Sequence, residues 1–98
     1  MARRYDIKIT LISQLKKCPA GHNVGDEFVV GRYTPEGICI GAFASLLPYI
    51  TTLRFGGSFP WEKDPNGGTF CCPDPEVINV FRLERILPAG RLGDLAKK

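Results

Sequence analysis

Apolar and polar residues alternate near the start of the chain, with Tyr5, Ile7, Ile9 and Leu11 set between Asp6, Lys8 and Thr10. A period of two marks a strand with one buried face. A stretch of turn formers follows, Lys16-Lys17-Cys18-Pro19-Ala20-Gly21-His22-Asn23. Val24-Gly25-Asp26 reads as a tight turn into a second strand, Glu27 to Gly31, because an Asp carboxylate accepts local backbone N–H groups. Pro35-Glu36-Gly37 marks another turn. From Cys39 the period changes: Cys39, Ala42, Phe43, Leu46, Leu47, Ile50 and Leu53 follow the helical template. Pro48 lacks the N–H that would bond back to residue 44, so two short helices or one kinked helix are expected, ending at Gly56-Gly57. Residues 56–76 read as one long loop, a length often tied to function. A last strand, about Val77 to Leu83, starts apolar on both faces and so belongs in a central or covered position.

The expected fold class is therefore α+β: a small antiparallel sheet packed by a Pro-interrupted helical segment, in β-β-α-β order. The 98 residues fit one domain, 1–98, with an ordered core of about 4–87 and a Gly-rich, charged tail over 88–98 that reads as mobile. A chain of this size buries about 65% of its unfolded surface and can fold without disulfide staples. An open sheet of three strands leaves edges that need cover, which makes a homo-oligomer one expectation.

Charge narrows the partners. Thirteen Lys/Arg stand against ten Asp/Glu, a formal charge of +3, with part of the excess at Arg3-Arg4 and Lys97-Lys98. No basic stripe with interleaved aromatics is present, so nucleic acid is not an expected partner. Nor is a membrane, since no stretch reaches the ~20 apolar residues of a span. Met1-Ala-Arg-Arg-Tyr-Asp6 carries no apolar run of a secretory leader, so the expected compartment is the cytoplasm, where thiols stay reduced.

That setting makes the four cysteines and single histidine the candidate chemistry. Cys18 and His22 share a turn, Cys39 opens the helical segment, and Cys71-Cys72 precede Pro73-Asp74-Pro75. A Cys-x3-His spacing can chelate from one turn, and Cys39 and Cys72 could be carried to the same end of the sheet. A set of Cys18, His22, Cys39 and Cys72 would suit zinc or an iron–sulfur cluster. Neighbours in an extended segment point to opposite sides, so Cys72 is preferred and Cys71 is expected to face away. An alternative is a small enzyme with Cys39 or Cys72 as nucleophile, His22 as base and Asp26 as orienting group. Against these stand plainer roles: His22 as a surface-loop histidine, Asp26 as a turn cap, and the cysteines as small hydrophobes. Phe59-Pro60-Trp61 adds a third option. Trp61 is expected to lid the core, or else to line the pocket of a binding module for a protein or small-molecule partner. Asp64, Asp74 and Glu76 form no D-x-D-x-D-G loop, which argues against calcium.

The chain resembles a family of small uncharacterised prokaryotic proteins. That family shares a Cys-x-x-Gly-His-x-x-Gly-Asp-x-Phe segment, here Cys18, Gly21, His22, Gly25, Asp26 and Phe28. The other shared segments stand here as Ile38, Cys39, Ala42 and Phe43, as Gly56, Gly57, Phe59, Pro60 and Trp61, and as Cys72, Pro73, Asp74 and Pro75. The resemblance implies that Cys18, Cys39 and Cys72 belong to the pattern, that Cys71 does not, and that the long loop is part of the fold. It implies no activity and no metal.

Overall fold

Ile7, Ile9 and Leu11 use the alternation of the first segment to enter the core, where none is exposed to solvent. A computed structural model describes residues 4–87; the expected mobile tail over 88–98 lies outside the described residues. The elements are β1 (Asp6–Ser13), β2 (Glu27–Val30), α1 (Ile40–Arg54), β3 (Gly67–Cys71) and β4 (Val80–Ile86). The strands form one antiparallel sheet in the order β2-β1-β4-β3. The protein is α+β, as the pattern implies, with one strand more than expected.

The sheet packs by register. Ile9 lies opposite Leu83, and Leu11 opposite Phe81, so the apolar positions of the two central strands share one face. Ala42, Leu46, Ile50 and Leu53 of α1 are buried with them in a single cluster. Each fully buried Leu, Ile or Phe contributes about 1.5–3 kcal/mol relative to exposure. The opposite face is polar. Arg82 lies opposite Thr10 and Thr69 and pairs with Asp64 at 2.7 Å and with Glu62 at 3.4 Å.

The helix is one continuous element, not two. Pro48 sits inside it. Both Pro48 and Ala44, whose carbonyl loses its partner, are on the exposed side, where water can satisfy that oxygen. Its C-terminus closes in a Schellman arrangement: Gly56 N–H donates to Leu53 O and Gly57 N–H to Thr52 O. Gly56 has φ of 89°, which glycine adopts without penalty. Arg85 then ties this end to β4 and the following loop, donating to the carbonyls of Leu53, Gly57 and Pro65 and to Asn66 Oδ1.

Two boundaries differ from the sequence reading. The expected loop over 56–76 contains β3, an edge strand that is hard to read because it opens with Gly67-Gly68. The last strand begins at Val80, not Val77, because Ile78 adopts φ of 48° and breaks the extended run. Its expected central place holds, since β4 lies between β1 and β3. Trp61 does not lid the core; it is 63% exposed, and Phe59 is buried in that position instead.

Gly67 explains the glycine-rich opening of β3. A Cβ there would lie 2.5 Å from Leu83 O, a backbone atom that cannot swing aside. We expect Gly67→Ala to lower stability by about 2 kcal/mol through overpacking. A urea midpoint equal to that of the parent protein would contradict this close approach.

Candidate functional site

The antiparallel order brings four chain segments to one end of the sheet. The exit of β1 lies beside the entry of β4, since Ser13 is opposite Val80. The exit of β3 lies there too, with Cys71 opposite Val80. The N-terminus of α1 completes the group. Cys18 follows β1, Cys39 precedes α1 and Cys72 follows β3, so three separate connections each deliver one cysteine. All three line one cavity of about 230 Å³, together with the small or apolar Pro19, Ala20, Gly41, Ala42, Pro73 and Val77. Asp74 and Asn79 are its remaining polar wall.

Two of the three sulfurs accept a backbone N–H, and the third lies in a tight turn. Gly21 N–H donates to Cys18 O at 2.9 Å, closing a turn in which Pro19 takes the second position. Gly21 follows with φ of 86°. This turn sets the backbone N–H groups of Ala20, Gly21 and His22, with the Asn79 side chain, near enough to the Cys18 sulfur to favour its thiolate. Successive N–H groups arranged in this way form a concavity that favours an anion. Cys39 is the N-cap of α1, its sulfur accepting Ala42 N–H at 3.4 Å. Cys72 is held twice by one residue: its sulfur accepts Asn79 N–H at 3.4 Å, and its own N–H donates to Asn79 O at 2.9 Å.

Burial pushes the Cys18 thiol up, because desolvation disfavours a thiolate. The three backbone donors and Asn79 outweigh that effect, and the thiol lies below its ordinary value. Cys18 is 8% exposed, so its sulfur faces the cavity and its own loop, with little bulk solvent around it.

His22 does not line this cavity. It is 5% exposed, against the expectation of a surface loop. Its Nε2 accepts Cys39 N–H at 3.0 Å, and its ring meets Phe28 edge-on at 5.4 Å. In this geometry the imidazole positions the Cys39 backbone. Asp26 does not orient it: its Oδ2 accepts Asn23 N–H at 2.8 Å, the role of a turn cap. The Cys-His-Asp constellation is therefore not assembled. Cys71 is exposed on β3 and borders a different hollow, beside Ser45 and Phe70. Of the acidic residues, Asp64 pairs with Arg82, and Asp74 caps its own turn through Glu76 and Val77 N–H. Among the described residues no three of His, Cys, Asp and Glu are grouped closely enough to hold a single ion.

Two residues escaped the sequence reading. Asn79 is 2% exposed, donates its N–H to the Cys72 sulfur and lies beside Cys18 in the cavity wall. Gln14 donates to Asn79 Oδ1 at 2.9 Å and to His22 O at 2.8 Å, which fixes the amide of Asn79 with its NH₂ toward Cys18. The one signal in the sequence is an Asn standing among Val77, Ile78, Val80 and Phe81, where a buried polar group needs partners. Ile78 supplies the bend. A β-branched residue at φ of 48° is strained by about 1–2 kcal/mol, and that strain turns the chain so that Asn79 N–H meets Cys72.

No protein-family model, no curated protein and no solved structure matches this chain. No helix among the described residues is long and apolar enough to cross a membrane.

The donors around Cys18 make a measurable claim. With Cys39, Cys71 and Cys72 replaced by Ser, the remaining thiol should titrate, by thiolate absorbance, below the ordinary value of about 8.5. Adding Asn79→Ala should move that midpoint up. Because folding lowers this pKa, the stability it confers is full above the ordinary thiol value and is lost as pH falls through the lowered one. A midpoint at or above that of a free thiol would contradict the donor set.

Proposed function

We propose that this protein takes up a thiolate-ligated transition-metal centre, zinc or an iron–sulfur group, between Cys18, Cys39 and Cys72, whose side chains would have to close on it from their present places, and that it serves in a redox or accessory role. The observation that carries this reading is that three cysteines, from three separate connections, line one cavity, in which the sulfurs of Cys39 and Cys72 each accept a backbone N–H. Thiolates are soft ligands, and N–H donors offset the charge they bring into a partly buried site. An inert cysteine needs no such donors and is satisfied by apolar packing.

The lowered Cys18 thiol supports a second reading, in which a cavity-facing thiolate attacks an electrophilic small molecule. It lacks a base: the only imidazole directs its Nε2 at a backbone N–H. The metal reading uses all three sulfurs and needs no base, so it accounts for more of the geometry.

Elemental analysis of protein purified with and without air tests the first reading. We expect a stoichiometric transition metal that is lost in Cys18→Ser, Cys39→Ser and Cys72→Ser and kept in Cys71→Ser. Metal-free protein from both preparations would contradict it. In that case a single thiol alkylated far faster than the others would favour the enzyme.

A further inference from the structure

We infer that the edge of β2 pairs with β2 of a second copy of this chain, antiparallel and with Val29 on the two-fold axis. The two edges of the sheet, β2 and β3, are finished differently. On β3, Cys72 N–H donates to Asn79 O at 2.9 Å, so the bonds to β4 recur at Phe70 and Gly68. Thr69 and Cys71 therefore turn their backbone groups outward. The chain covers both itself: Thr69 N–H donates to Glu62 Oε2 at 3.2 Å, and Ser45 Oγ donates to Cys71 O at 3.4 Å. Cover of this kind keeps an edge from pairing with another chain.

On the β2 side, apolar residues come to the surface instead. Leu11 N–H donates to Asp26 O at 2.9 Å, so the bonds to β1 recur at Phe28 and Val30, and Glu27 and Val29 turn N–H and C=O away from β1. Val29 is 50% exposed. Beside it, two adjoining hollows of about 220 and 260 Å³ run between the end of β2 and α1 and share Thr34 and Phe43. Their walls include Tyr33, Ile40 and Leu47, which are 78%, 86% and 44% exposed. With Val29, these side chains offer on the order of 400 Å² of apolar surface per copy, at about 100 Å² each. A stable complex buries about 800 Å² per partner, a little over half of it apolar, so this patch has the size that a dimer needs.

Charge and register point to a second copy as the occupant. Outward residues pair with outward residues, so Val29 can face Val29 of the other copy, and Glu27 then comes level with Gly31 of that copy and within reach of its Arg32. Glu27 and Arg32 are both exposed, and Glu27 meets Lys8 of its own chain only at 3.9 Å. The two-fold axis makes the Glu27–Arg32 pairing twice, which is the self-complementarity an isologous interface requires. Both copies of α1 then lie on the same face of one continuous sheet. Because β2 begins at the end where the cysteine cavity lies, antiparallel pairing sets the two cavities at opposite ends of that sheet.

Sedimentation equilibrium of the full chain at about 100 μM, a hundredfold above a micromolar Kd, tests this. We expect the mass of two chains. Val29→Lys should give a monomer with the parent's far-ultraviolet circular dichroism, since a lysine on a strand edge opposes pairing and not folding. Glu27→Arg and Arg32→Glu should each weaken the dimer at least tenfold by setting like charges together at two places. The double variant Glu27→Arg/Arg32→Glu should restore it. A monomeric parent chain would overturn the proposal and leave the edge to the chain's own end or to another protein. A dimer that survives Val29→Lys, or a double variant no tighter than the single ones, would overturn it as well.

Discussion

Asn79 is the residue on which the end of this sheet depends. Its side-chain oxygen accepts from Gln14, its amide lies beside Cys18 in the cavity wall, and its backbone makes two bonds with Cys72. One residue, 2% exposed, therefore joins the loop after β1, the loop after β3 and the start of β4. A buried amide costs several kcal/mol when unpaired, so the network is stable only when complete. That requirement fixes two of the three sulfurs relative to each other. The third, Cys39, is fixed from the other side by His22.

The rest of the fold serves this arrangement. The register of β1 against β4 places one strand's exit at the other's entry, so the cysteine-bearing connections meet without a long crossover. Leu15 and Lys16 N–H both reach Val77 O, which stitches the first connection to the last. The opposite end of the molecule is held by Arg85 and the Schellman closure of α1, far along the helix from Cys39.

Much of this is legible in the sequence, for reasons that can be given residue by residue. β1 reads correctly because Ile7, Ile9 and Leu11 face one covered side and their neighbours face water. The stripe from Ala42 to Leu53 reads as helix because burial and period agree. Cys18, Cys39 and Cys72 stand out because they fall at turns and at a cap, which are positions set by backbone chemistry. β3 escapes because Gly67 and Gly68 have poor strand propensity, and their reason to be there is a close approach to β4 that only the fold reveals. The start of β4 is misjudged because Val77 and Ile78 are apolar, whereas a left-handed residue ends the strand pattern. The place of His22 is hidden for a related reason. A Cys-x3-His spacing is the same whether the imidazole faces a metal or a backbone N–H, and only the position of Cys39 N–H decides it.

The central claim is that these three sulfurs, and not the histidine, hold a metal. X-ray absorption at the metal edge of the protein as isolated tests it most directly. The account predicts a coordination shell dominated by sulfur, at about 2.3 Å. A shell of nitrogen and oxygen donors without sulfur would contradict it.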